Sequence, residues 1–333
     1  MLGSGEEHEV DRAYTEIVAD LPAHLRAAAA RLPYRLGLVH RPDGKWSDFT
    51  QLEVVTSMPR LIGRDLGLSD AQVEPFLRAH RAAGFARVLV DRVADGQAQS
   101  DPDLDALAAA LHAAWVAALG AAVGDAGHAA LIVEAGCRSF ARSARAERRA
   151  LSTGAWTAEA YARAVGDKTA WLAVATVALL RAHRDEQIAR VFVRGHERLY
   201  LSLQLLDDAV DAADDRAVRG RSMPEVLRAT PRAFVRAAAC MTDEAAFVFD
   251  AAGLPGLAAQ SRARGSELTR VWVDGHPVLD AFATLALSEE ALLRGLDGHA
   301  RHRRASGLDR DDLRHGRRPM DRPRRESRCA TTE

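Results

Sequence analysis

LYLSLQLLDDAVDAADDRAVRGRS, residues 199–222, is the stretch on which the reading of this chain turns. A mostly apolar run, interrupted by Ser202 and Gln204, leads directly into five aspartates. At about 100° per residue on a helix, Asp207, Asp211, Asp214 and Asp215 share a stripe roughly a quarter-turn wide, with Asp208 at its edge. A charge run of this kind commonly marks a solvated face. Here aspartates are poor helix formers, like charges repel at i,i+4, and no Lys or Arg lies between Arg198 and Arg216 to compensate them. The stripe therefore calls for a cation. Hard oxygen donors without His or Cys among them point to Mg²⁺, which takes one or two carboxylates per ion and completes its shell with water and phosphate oxygens.

Working outward, nearly every segment between breakers has helical period and is rich in Ala, Leu, Arg and Glu, and runs of alternating β-branched residues are missing. This predicts an all-α protein, a single large helical bundle with a central cavity. Helices are expected at 9–32, 49–66, 70–95, 102–123, 128–151, 158–182, 186–218, 231–252, 257–273 and 277–294. Pro22 and Pro59 should kink or split the first two, and 33–48 reads as a loop. Ser69, Asp101 and Thr157 stand as N-caps. The helical domain is expected to cover 1–297, followed at 298–333 by a disordered tail with eleven Arg against six acidic residues, which is no nucleic-acid site.

The 333 residues, 48% of them hydrophobic, can bury a sizeable core. Three scattered cysteines, Cys137, Cys240 and Cys329, form neither a disulfide framework nor a zinc site, and the N-terminus turns acidic at once. A cytoplasmic protein is expected. The low-charge run 106–123 is mostly alanine and contains His112, so its drive to enter a bilayer is weak and no stable membrane span is expected.

Upstream, FARVLVDRVADGQ sets Asp91 and Asp95 at i,i+4 on one helix face, again after an apolar run. Two acidic helix ends could face one another across a bundle cavity and hold a diphosphate between metal ions. Cleavage of an allylic carbon–oxygen bond leaves a diphosphate whose growing charge needs metal ions and basic groups, and a carbocation that must meet only apolar walls. Phe85, Trp115, Phe140, Trp171, Phe192 and Tyr200 are candidates for those walls, although plain core is the commoner fate of such residues.

These residues resemble the trans-isoprenyl diphosphate synthase superfamily. Its second motif runs Gln, two residues, Asp-Asp-x-x-Asp, three residues, Asp, then Gly-Lys; Gln204, Asp207, Asp208, Asp211, Asp215 and Gly220 match, with Arg221 in place of Lys. AYARAVGDKTAWL, residues 160–172, is similar to the family's Tyr and Lys-Thr-Ala-x-Leu segment, so the resemblance gives Lys168 the substrate diphosphate. Asp91-Arg92-Val93-Ala94-Asp95 resembles the first Asp-rich motif with Arg92 in place of its second Asp. Chain-elongating members carry an Arg-Arg-Gly after that motif and further basic residues near the N-terminus for isopentenyl diphosphate. Here Gly96-Gln97-Ala98-Gln99-Ser100-Asp101 follows it, and Gly44-Lys45 runs into Trp46-Ser47-Asp48. The resemblance therefore implies a class I terpene synthase, a cyclase that ionises one prenyl diphosphate with Mg²⁺, with a prenyl diphosphate synthase or head-to-head prenyltransferase as the alternative. It also implies a homodimer.

Metal ligands are expected at Asp91, Asp95, Asp207, Asp208, Asp211 and Asp215. Lys168, Gln204 and Arg221 are expected at the diphosphate. Arg138, Arg142, Arg145 and Arg149 form a basic helix face, from which Arg138 or Arg142 is expected to join them, and Arg92 could bridge to the same group.

Overall fold

The computed structural model describes residues 8–50, 53–184 and 186–274. Among these residues all regular structure is helical: α1 Glu9–Asp20, α2 Ala23–Ala30, α3 Leu32–Arg35, α4 Trp46–Phe49, α5 Glu53–Thr56, α6 Met58–Leu66, α7 Asp70–Ala94, α8 Pro102–Val123, α9 Ala126–Thr153, α10 Ala158–His183, α11 Glu186–Val210, α12 Ala212–Arg219, α13 Met223–Val226, α14 Pro231–Ala251 and α15 Pro255–Asp274. The expected helix 277–294 and the tail 298–333 lie outside the described residues.

The long helices begin where their caps place them. Ser69 and Gln72 form a capping box ahead of α7, while Asp101 and Thr157 accept the Leu104 and Ala160 N–H groups ahead of α8 and α10. Pro22 becomes the N-cap of α2 and Pro59 sits in the first turn of α6, so the two expected N-terminal helices are divided rather than bent. The expected loop 33–48 contains the single turns α3 and α4. The expected helix 186–218 is interrupted at Asp211, whose φ of −84° and ψ of 1° end α11 and start α12.

Helices α7, α8, α9 and α10 pack in sequence, and α10 returns against α7 to close the group. Helix α11 packs on α10, α14 on α11, and α15 on α14 and α6. Because successive helices run in opposite directions, α7, α9 and α11 end, and α10 begins, at one end of the bundle. Helix α11 lies tight against α14 at Gly195, where an added Cβ would overlap the Phe249 ring.

Among the described residues α8 is the one helix long and apolar enough to cross a membrane, with a mean hydropathy of 1.8. Its Leu104, Leu107, Leu111, Trp115 and Leu119 form one buried stripe, so its large side chains belong to the core. The six aromatic residues expected in a cavity wall are also core. Phe85, for example, packs 4.8 Å from Tyr14 and 4.9 Å from Trp46, centroid to centroid. None of the six lines the cavity of about 520 Å³ that runs beside α10, whose wall includes Phe76, Ile132, Val174, Val177 and Val193.

Candidate active site

The shared end of α7, α9, α10 and α11 gathers seven carboxylates around two cations. From α10, Lys168 Nζ stands 3.4 Å from Asp91 Oδ1 and 4.0 Å from Asp95 Oδ2, both at the end of α7. From α12, Arg219 stands 3.5 Å from Asp95, 3.3 Å from Glu147 on α9 and 3.4 Å from Asp215. The two acidic segments read from sequence thus meet across a cleft. Burial acts to discharge Lys168, but the charges of Asp91, Glu147, Asp95 and Asp208 outweigh it and hold the ammonium well above its ordinary pKa.

On α11 the aspartates divide into two kinds. Asp208 is fixed: Tyr161 donates to its Oδ2 at 2.7 Å and Gln204 Nε2 to its Oδ1 at 2.9 Å. Burial pushes its carboxyl up to about 7 against the help of those hydrogen bonds. Asp207 is exposed at the cleft mouth, where among the described residues its side chain accepts one long 3.4 Å contact, from Gln204. The concave wall still restricts its hydration, and with the charge of Asp211 added its carboxyl rises to about 6. Burial also raises Asp91, Asp211, Asp215 and Glu147, with the Lys168 or Arg219 charge opposing it in each case. Two cations do not neutralise this group.

The basic residues distribute differently from the sequence expectation. Arg221 leaves the carboxylates and donates to the Leu151 and Ser152 carbonyls at 3.2 and 3.3 Å, capping the end of α9. Arg138 lies exposed and pairs with Glu134 one turn away at 3.1 Å. Arg142 reaches Asp167, the neighbour of Lys168, at 3.1 Å on the cleft's outer side. Arg92 donates to the Leu36 and Gly37 carbonyls at 3.0 and 3.4 Å, fastening the N-terminal segment beside Asp211, whose carboxyl its charge helps to lower. Gln204 orients aspartates.

Sequence reasoning missed Glu147 and Arg219 and gave Tyr161 no role. Glu147 continues the buried stripe Ala129, Val133, Gly136, Phe140, Ser143 and Ala150 of α9, a register that could have singled it out. Arg219 lies one turn beyond Asp215, on a helix whose start could not be read.

No three acidic, imidazole or thiol groups among the described residues stand close enough to hold a metal ion by themselves. The donor set nevertheless fits Mg²⁺, which needs only one or two carboxylates per ion when phosphate oxygens and water supply the rest. Asp207, Asp91 and Asp211 are the oxygen donors that open on the cleft without a hydrogen-bonded partner fixing both oxygens.

No protein-family model matches the sequence, and no curated protein matches it. Among solved structures, the chain is similar to the crystal structure of a polyprenyl synthetase from Streptomyces coelicolor A3(2), with a TM-score of 0.51 and 16% identity over 87% of this chain and 96% of that one. At that identity the likeness establishes the fold. The chain has the all-helical isoprenoid synthase fold.

Proposed function

We propose that this chain is a Mg²⁺-dependent enzyme that ionises a prenyl diphosphate. The observation that carries the reading is the convergence of Asp91 and Asp95 with Asp207, Asp208, Asp211 and Asp215 around Lys168, in a cleft where burial and the neighbouring carboxylates push Asp207 and Asp208 upward. Mg²⁺, when bound, would neutralise the departing diphosphate. The protein's own part is to hold the carboxylates: Tyr161 and Gln204 lock Asp208, and the end of α7 presents Asp91 and Asp95 opposite. Lys168 supplies a fixed charge for the diphosphate.

Within this class the cyclase reading is supported by two cations that are already engaged. Arg35 pairs with Asp101 and Arg92 is tied to carbonyls, so neither stands ready for a second diphosphate. The second reading, condensation with isopentenyl diphosphate, is favoured by the likeness to a polyprenyl synthetase. Purified protein incubated with C10 to C25 allylic diphosphates and Mg²⁺ should release pyrophosphate and form a terpene without isopentenyl diphosphate. Longer diphosphates appearing only with that second substrate would establish condensation, and absence of turnover with either would remove the enzyme assignment. The chain is expected to act as a homodimer, for which the outward alanines of α8 (Ala109, Ala113, Ala117 and Ala121) offer a smooth face; light scattering measures this directly.

A further inference from the structure

Among the described residues Arg219 stands between three carboxylates at once. Its three nitrogens face three carboxylates from three segments, Asp95 of α7 at 3.5 Å, Glu147 of α9 at 3.3 Å and Asp215 of α12 at 3.4 Å. Of the three, only the contact to Glu147 has hydrogen-bond geometry. Arg181 shows the alternative: it grips Glu186 with two parallel hydrogen bonds at 2.7 and 2.8 Å. Arg219 is therefore held by summed charge, with most of its five donors unspent. Its helix is also lightly anchored, since α12 is eight residues long, is cut from α11 at Asp211, and buries only Ala212.

Asp95 and Asp215 are at the same time expected metal ligands. A divalent ion arriving alone must draw Asp95 away from Lys168 and Arg219, and Asp215 away from Arg219, leaving both cations with fewer carboxylate partners in a partly buried cleft, which is costly. A diphosphate changes this, because its oxygens offer a guanidinium the bidentate partner that the carboxylates do not.

Building on the function proposed above, we infer that Arg219 is a placeholder for the metal ions: it occupies Asp95 and Asp215 until a diphosphate arrives and then moves to it, so that cation and diphosphate binding are coupled through it. Arg219 thereby takes the position expected for Arg221. The coupling is reciprocal, each ligand tightening the other by the same factor.

The test is a titration of the full-length protein with Mn²⁺, followed by electron paramagnetic resonance, with and without inorganic pyrophosphate and corrected for the metal–pyrophosphate complex measured without protein. Wild type should bind Mn²⁺ at least about tenfold more tightly when pyrophosphate is present. Arg219→Gln should bind Mn²⁺ alone more tightly than wild type, and the coupling should shrink about fivefold or more. Unchanged affinities, or weaker binding of Mn²⁺ alone, would overturn the inference. Arg216→Gln, on the same helix but paired with Glu225, should keep the wild-type coupling; an equal loss there would also overturn it. Should the glutamine variant not fold, Arg219→Lys is read in the same way, with unchanged coupling as the contrary result. Wild type binding neither Mn²⁺ nor pyrophosphate would remove the proposed function as well, whereas wild type binding both, with Arg219 making no difference, would remove this inference alone.

Discussion

Two clusters of charge lie in the bundle and behave in opposite ways. Near the N-terminus Glu9 is met by Arg60 and by Arg81, the latter buried and 3.1 Å away. Burial would raise the Glu9 carboxyl, yet the two guanidiniums more than offset it and hold the carboxyl below its ordinary value. In the cleft the balance is reversed: burial and mutual repulsion exceed what Lys168 and Arg219 supply, and Asp207 and Asp208 rise. A cluster that serves only to tie helices together is supplied with its own countercharge. One left short of countercharge is where a cation from outside would be most strongly drawn.

The largest effect that would break this comparison is on turnover. Asp207→Ala should lower pyrophosphate release by between about a hundredfold and a thousandfold while the metal-free melting temperature stays level or rises, because a repelling charge is removed. A parallel loss of helix signal and activity would make Asp207 structural instead. Lys168→Met should weaken pyrophosphate binding by about 1.5–3 kcal/mol, roughly ten- to a hundredfold by calorimetry, and should lower the metal-free melting temperature. Glu9→Gln is the mirror experiment: stability should fall by about 2 kcal/mol in urea titration, since Arg81 loses its charged acceptor, with the folded fraction as active as before.

The pH response sharpens the contrast. Asp207 and Asp208 titrate at about 6 and about 7 in the folded chain against 3.8 ordinarily, so the native state binds the extra protons in between. Their contribution to stability is therefore present at low pH and is lost as pH rises through 6 and 7. Metal-free protein should melt at falling temperature across that window, and Asp208→Asn should flatten the slope; a steeper slope in the variant would contradict the assignment. The smallest effect is at Arg221, where Ala should cost about 1 kcal/mol through the end of α9 and leave pyrophosphate affinity near wild type.

The helical class, the caps of α7, α8 and α10 and both acidic segments were legible because periodicity and cap chemistry act within a few residues. The division at Asp211 was not, since no Gly or Pro marks it between Val210 and Arg219 and only tertiary placement reveals the break. Glu147 was hidden by its setting, flanked by Arg145 and Arg148 in a segment that reads as a basic face. Arg221 could not be placed from sequence: the resemblance sets it at the diphosphate, whereas beyond the left-handed Gly220 its side chain turns to the carbonyls at the end of α9 and Arg219 stands among the cleft carboxylates.

Gly195 has a mechanical meaning for all of this. It lies twelve residues before Asp207, about 18 Å along the axis of α11, and the Phe249 ring fills the space where a side chain would begin. The seat of α11 on α14 thus sets the height at which the acidic end of α11 stands opposite α7. A single methyl at position 195 would work as a shim at the far end of a lever: it would first force Phe249 and α14 aside, and the tilt it gives α11 would carry to where the carboxylates meet.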